Sequence, residues 1–114
     1  MPRILIIEPE MRARHALRSM LEGAGYEVET AVDGSEGIET HRHKPADLVI
    51  ADLDDAMDKA NAFLGIRMIA VPGGGRDSAE IARKLGAQHF LPKPFRRDAL
   101  LAAVRNTLGS QPAL

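Results

Sequence analysis

Acidic residues and one lysine follow short apolar segments at several places in the sequence. They are Glu8, Glu10, Asp52, Asp54 and Lys93. Carboxylate oxygens are the ligands that Mg²⁺ prefers, and a lysine ammonium balances the charge of a phosphoryl group. If the fold brings these side chains together, the pattern predicts phosphoryl chemistry centred on Asp52. The spacing fits a second interpretation equally well, in which Lys93 only neutralises the acids beside it.

The apolar segments themselves predict the strands of a sheet. Residues 4–7, 48–51 and 68–71 are short, continuous and apolar, which is typical of parallel strands covered on both faces. Residues 26–31 alternate in polarity and predict an edge strand, and residues 89–91 predict a brief last strand.

Stretches with helical periodicity separate these strands. Apolar side chains recur at helical spacing over residues 13–24, with Arg14 and Arg18 on the polar face. A second helix is predicted over residues 35–43, although Ile38 is its one strongly apolar residue. The last helix has the clearest apolar stripe, formed by Leu100, Leu101, Val104 and Leu108.

Two further stretches with helical spacing follow the third and fourth strands, one with Met57, Ala60 and Leu64 and one with Ala79, Ala82 and Leu85. The resulting five pairs of a strand and a helix predict an α/β fold with a doubly wound, five-stranded parallel sheet and helices on both faces. In such folds ligands bind beyond the carboxyl ends of the strands. The acids and the lysine named above all follow strands, so the fold class predicts that they converge at one edge of the sheet.

Composition limits the classes of function. The chain has 114 residues, a net charge of −1 and no cysteine. One domain is expected from this length, and the charge balance gives no general reason for binding nucleic acid or a membrane surface. The lack of cysteine excludes a disulfide scaffold, a thiolate metal site and a cysteine nucleophile. No segment has the length of a membrane span or the pattern of a signal peptide, so a cytoplasmic location is expected.

Several short motifs occur in an order that is characteristic of one family. They are the apolar residues 4–7 with the acids after them, Ala24-Gly25-Tyr26, Asp33-Gly34, Asp47-Leu48-Val49, Gly86-Ala87 and Lys93-Pro94-Phe95. In this order the sequence resembles the receiver domain of two-component response regulators, within the CheY-like superfamily. The resemblance extends from Arg3 to Leu108. It implies a flavodoxin-like (βα)₅ fold with strand order 2-1-3-4-5, a domain over residues 1–108 and a short tail over residues 109–114.

The resemblance also implies roles for individual residues. Asp52 matches the phosphoacceptor, Lys93 matches the lysine that contacts the phosphoryl group, and Phe90 matches the aromatic switch position. Mg²⁺ is the implied cofactor, with Glu8, Asp52 and Asp54 as its ligands. The implied partners are a histidine kinase or phosphotransferase, a downstream protein and a second copy of the chain. Any enzymatic activity is limited to self-phosphorylation and autodephosphorylation.

The sequence departs from the family pattern at three places. Pro9 replaces the second of the paired acids after the first strand, which leaves Glu8 and Glu10 as candidates to reach a cation. Pro72 replaces the Thr or Ser of the other switch position and has no hydroxyl. The segment between the third and fourth strands is about seven residues short, which predicts a shortened helix 3 in the family's order of elements.

Three functional hypotheses follow. The first is a stand-alone receiver that accepts a phosphoryl group on Asp52 in a phosphorelay and signals by protein docking. The second, favoured by Pro9 and Pro72, is a pseudo-receiver that binds proteins independently of phosphorylation. The third is a small-ligand site at the glycines of residues 73–75, which lack the lysine of a Walker-type loop.

Overall fold

Five strands form a single parallel sheet in the computed structural model, which describes residues 1–52, 65–71, 89–91 and 95–109. The strands are β1 Arg3–Ile7, β2 Glu27–Ala31, β3 Leu48–Asp52, β4 Arg67–Val71 and β5 His89–Phe90. Their order in the sheet is β2-β1-β3-β4-β5, and each neighbouring pair is parallel. The predicted fold class and strand order are therefore confirmed.

Three helices lie in the described parts of the chain. They are α1 Met11–Gly23, α2 Gly34–His43 and the C-terminal helix Arg97–Leu108. Gly25 follows the end of α1 with a φ of 96°, a backbone conformation that residues with a Cβ rarely adopt. The predicted helix between β3 and β4, including its predicted shortening, and the predicted helix between β4 and β5 lie outside the described residues. None of the described helices combines the length and apolar character that crossing a membrane requires.

The sheet is covered on both faces, as the continuous apolar strands predicted. Ile4 and Ile6 of β1 belong to a core that includes Leu21 of α1 and Leu100 of the C-terminal helix. Leu5 and its neighbours on the opposite face belong to a second core, against which α2 packs. Because successive strand side chains point to opposite faces, an uninterrupted apolar run contributes to both cores.

The buried residues of α2 are glycines rather than Ile38, the one strongly apolar residue of the helix. Ile38 is only partly buried, but Gly34 and Gly37 of the same helix are buried. Residues at this spacing lie on one face of a helix, so a strip of the α2 backbone is buried there without side chains. Asp33 stabilises the start of the helix, because its carboxylate accepts a hydrogen bond from the Glu36 amide at 2.8 Å.

Arg3 connects three segments at the N-terminal edge of the sheet. Its backbone amide donates to the Asp47 carboxylate at 2.8 Å, and its guanidinium donates to the Pro45 carbonyl at 3.3 Å and to Glu27 at 3.1 Å. These contacts link β1 to β2 and to the turn before β3. They help to fix the register of the three strands, and that register determines which residues emerge together at the opposite edge.

Candidate functional site

The register of the central strands brings Glu8 and Asp52 to the same edge of the sheet. Ile7 of β1 pairs with Ala51 of β3, so the residues that follow them are neighbours across adjacent parallel strands. Such strands lie about 4.8 Å apart. Asp52 is the last residue of β3 and pairs on its other side with Val71 of β4. The predicted phosphoacceptor position thus lies in the middle of the sheet, beside an acidic residue.

Glu8 is a carboxylic acid in a buried position. It is 4% exposed, and its amide donates to the Ala31 carbonyl of β2 at 3.0 Å. Its Oε2 accepts a hydrogen bond from the Glu10 amide at 2.9 Å. Thr107 is the other buried polar side chain in the described parts of the chain, and its hydroxyl donates to the Ala103 carbonyl within the C-terminal helix. Burial of an ionisable group is costly, so Glu8 is the more informative of the two.

Glu10 has a different role from that of Glu8. Its two carboxylate oxygens accept hydrogen bonds from the amides of Ala13 at 2.6 Å and Arg12 at 3.1 Å, which makes it the N-cap of α1. These two backbone bonds lower the pKa of the Glu10 carboxyl below its ordinary value. The sequence left open whether Glu8 or Glu10 reaches a cation. In the structure Glu10 caps α1, whereas Glu8 lies at the edge of the sheet beside the end of β3.

Pro9 lies between these two acids and is exposed. It offers no side-chain oxygen, but its carbonyl accepts a hydrogen bond from Arg14 Nη1 at 3.2 Å. The same nitrogen donates to the Glu8 carbonyl at 2.9 Å. Sequence reasoning placed Arg14 on the polar face of α1 and assigned it no role. The sequence does contain a signal for this contact. Arg14 lies one helical turn after Glu10, and side chains in a helix tilt toward its N-terminus, so the Arg14 guanidinium can reach the turn that precedes α1.

The donor set at this edge has the chemistry that suits Mg²⁺. Glu8 supplies a carboxylate, and Asp52 occupies the adjacent strand end. Hard divalent cations bind oxygen ligands of this kind. No group of three or more acidic or histidine side chains comes together as a metal cluster within the described ranges. Within the described residues, the candidate site therefore consists of the Glu8 carboxylate and the neighbouring position of Asp52.

The remaining predicted site residues fall into two groups. Phe90 lies in β5 and pairs with Ala70 of β4, which places the aromatic switch position in the sheet. Asp54, Lys93 and Pro72 lie outside the described residues.

Two histidines of α2 make separate local contacts. His41 Nδ1 accepts a hydrogen bond from the Ala46 amide at 3.0 Å, and burial lowers the pKa of His41 below its ordinary value of 6.5. His43 Nδ1 lies 2.9 Å from the Glu39 carbonyl oxygen one turn earlier. His41 therefore connects α2 to the turn before β3.

A parallel sheet with the order β2-β1-β3-β4-β5 and an aspartate at the end of its central strand has the flavodoxin-like architecture that receiver domains share with other α/β proteins. Comparison with known families agrees, since the profile of the response regulator receiver domain matches residues 4–105. The chain belongs to this family. It is a receiver domain of two-component signalling, a class that in general binds Mg²⁺ at an acidic pocket and interacts with histidine kinases and downstream effectors.

Individual relatives support this assignment. The chain is 38% identical over 112 residues to the transcriptional regulatory protein PdtaR of Mycobacterium tuberculosis, covering 90% of this chain and 54% of the relative. It is 31% identical over 117 residues to the aerobic respiration control protein ArcA of Escherichia coli, covering 94% and 48%. The chain thus spans about half the length of these curated relatives. A solved response regulator receiver protein from Burkholderia phymatum superposes with a TM-score of 0.85 at 22% identity, covering all of both chains, and shows the shared fold.

Proposed function

We propose that Asp52 accepts a phosphoryl group from a phosphohistidine of a histidine kinase or phosphotransferase. The observation that carries this proposal is the placement of Asp52 at the end of β3, next in register to the buried Glu8. An exposed acid in a loop would have neither a fixed position nor a buried acidic neighbour. The order of motifs up to Lys93 supports the same role, because it follows the receiver family through the whole domain.

The transfer is a displacement at phosphorus. A carboxylate oxygen of Asp52 attacks the phosphorus atom, a new O–P bond forms, and the N–P bond of the phosphohistidine breaks with its electron pair returning to the imidazole. The product is an acyl phosphate on Asp52. In this proposal the Lys93 ammonium contacts a phosphoryl oxygen and offsets the added negative charge.

Mg²⁺ is the proposed cofactor, with Glu8, Asp52 and the Asp54 carbonyl as its ligands. When bound, the cation neutralises charge on the phosphoryl oxygens. Glu8 contributes a carboxylate that is already held at the edge of the sheet by its bond to the Glu10 amide. Pro9 contributes none, so the proposed site has one acidic ligand fewer than the family pattern at this turn.

Signalling by docking completes the proposal. Residues 1–108 form the receiver unit, residues 109–114 form a tail, and the phosphorylated domain acts in the cytoplasm by binding a downstream protein or a second copy of the chain. Pro72 and Phe90 are the positions at which phosphorylation would alter the docking surface. Because Pro72 offers no hydroxyl to the phosphoryl group, we expect phosphorylation to alter the docking surface mainly at Phe90.

Intact-mass measurement tests the proposed phosphorylation. The protein is incubated with Mg²⁺ and acetyl phosphate, and we expect the mass of one phosphoryl group to be added. Asp52→Asn should abolish the addition. Asp47→Asn is the matched control, because Asp47 precedes β3 at the opposite edge, where it accepts from the Arg3 amide. Absence of any addition to the wild-type protein, or its persistence in Asp52→Asn, would contradict the proposal.

A second candidate function is a pseudo-receiver that binds proteins without phosphorylation. The specific observation in its favour is the turn after β1, where Pro9 has no ligand atom in its side chain and Glu10 is used as a helix cap. This candidate predicts that Asp52→Asn leaves partner binding and cellular phenotype unchanged. Loss of either in that variant would exclude it.

A further inference from the structure

The turn between β1 and α1 has a complete set of hydrogen bonds, and Arg14 makes most of them. All three carbonyls of residues 8–10 accept from Arg14. Its Nη1 donates to the Glu8 carbonyl at 2.9 Å and to the Pro9 carbonyl at 3.2 Å, and its backbone amide donates to the Glu10 carbonyl at 2.9 Å. The half-buried Arg14 side chain therefore holds two of the three carbonyls, and the third accepts a backbone hydrogen bond at the start of α1.

The amides of the same turn are also used. Pro9 has no amide hydrogen, so the turn has only two amides. The Glu8 amide donates to the Ala31 carbonyl at 3.0 Å, and the Glu10 amide donates to Glu8 Oε2 at 2.9 Å. The second of these bonds fixes the Glu8 carboxylate, and its geometry depends on where the turn places Glu10. Arg14 is thus connected to the Glu8 carboxylate through the backbone of the turn.

We propose that Arg14 is a positioning residue that holds the Glu8 carboxylate in place for a divalent cation by clamping the Glu8 and Pro9 carbonyls. The proposal rests on the proposed function, since the cation is the Mg²⁺ assigned above. Residues that orient a metal ligand are worth about tenfold or more in metal affinity. Without the guanidinium, the Glu8 and Pro9 carbonyls turn toward water, and the Glu10 amide is held relative to Glu8 only by the bonds that tie Glu10 to α1.

The sign of the effect separates this role from simple electrostatics. Arg14 carries a positive charge close to the proposed site, and removal of a nearby positive charge by itself favours cation binding. The clamp predicts the opposite, because Glu8 loses its orientation. Weaker cation binding after loss of Arg14 therefore supports positioning.

The test uses Arg14→Met, which keeps an apolar stem and removes the donors, together with Arg14→Lys, which keeps the charge. Arg12→Met and Arg18→Met are matched controls on the same helix, since both residues are exposed and Arg18 pairs with Glu22 at 3.2 Å. Titration with Mg²⁺ by calorimetry gives the dissociation constant. We expect it to rise about tenfold in Arg14→Met, to rise less in Arg14→Lys, and to stay equal or fall in the controls.

A second readout needs no cation. Hydrogen exchange followed by NMR reports the Glu10 amide, which we expect to exchange about tenfold faster in Arg14→Met, while the Leu17 amide in the buried face of α1 is unchanged. An unchanged Glu10 amide, or tighter Mg²⁺ binding in Arg14→Met, would overturn the clamp. If the wild-type protein itself binds no Mg²⁺, the proposed function loses its cofactor and the positioning role for a cation is overturned with it. In that case the exchange rate of the Glu10 amide in Arg14→Met still tests whether Arg14 holds the turn without a cation.

Discussion

Replacement of Pro9 by aspartate restores an acid at the position where the family pattern has one. The substitution suits this site because Pro9 is exposed and its side chain lies in the turn between β1 and α1. The backbone carbonyl that accepts from Arg14 Nη1 is kept in the Pro9→Asp variant, so the clamp on the turn is preserved. We expect Pro9→Asp to increase the affinity for Mg²⁺.

The expected magnitude follows from opposing contributions. Two unit charges 4 Å apart interact by about 4 kcal/mol at an effective dielectric constant of 20, and the cation carries two charges. Partial dehydration of Mg²⁺ opposes this gain. The loss of proline adds about 0.4–1 kcal/mol of entropy to the unfolded chain, which lowers stability rather than affinity. A net tightening of about 10- to 100-fold, or about 1.4–2.8 kcal/mol, is expected.

Pro45 provides a closely matched control. It is also an exposed proline in a turn, and its carbonyl also accepts from an arginine Nη1, that of Arg3 at 3.3 Å. Pro45→Asp adds the same charge and removes the same ring at the opposite edge of the sheet. Both variants and the wild-type protein are titrated with Mg²⁺ by calorimetry, and urea unfolding measures stability without the cation.

Two results would refute the reasoning. Equal affinities in the wild-type protein and Pro9→Asp would mean that the turn after β1 does not face the cation. Equal tightening in Pro9→Asp and Pro45→Asp would mean that added negative charge acts through the whole molecule rather than at the site.

Two further predictions concern stability. His41 accepts from the Ala46 amide in its neutral form, and its pKa is lowered by burial, so the unfolded chain takes up a proton before the folded one as pH falls below 6.5. Urea unfolding measured above and below pH 6.5 should show that the wild-type protein loses stability on the acid side. The loss should be smaller in His41→Asn than in His15→Asn, a control at an exposed histidine. Identical pH profiles of the two variants would contradict this prediction. Asp33→Ala should lower the free energy of unfolding by about 1 kcal/mol through loss of the α2 cap, whereas Asp33→Asn keeps the acceptor; equal losses in both, measured by the same method, would argue against capping.

The strands and helices within the described residues could be predicted from the sequence to within one or two residues. The strand predicted over residues 26–31 begins at Glu27, the last strand ends at Phe90 rather than residue 91, and α2 begins at Gly34 rather than residue 35. The packing of α2 could not be predicted in the same way. Periodicity counts apolar side chains, whereas α2 also buries Gly34 and Gly37, which have no side chain to be counted.

The sequence by itself determined that acids follow apolar strands and that these strands form a doubly wound sheet, because periodicity and motif order are local properties of the chain. It named Glu8 as the metal ligand and left Glu10 as a second residue that could reach the cation. Only the tertiary structure distinguished them, since the path of the turn directs both Glu10 oxygens to the amides of α1 and leaves Glu8 buried beside the end of β3. The role of a carboxylate at this edge depends on which amides lie within hydrogen-bonding distance, and that is set by strand register and by Arg14.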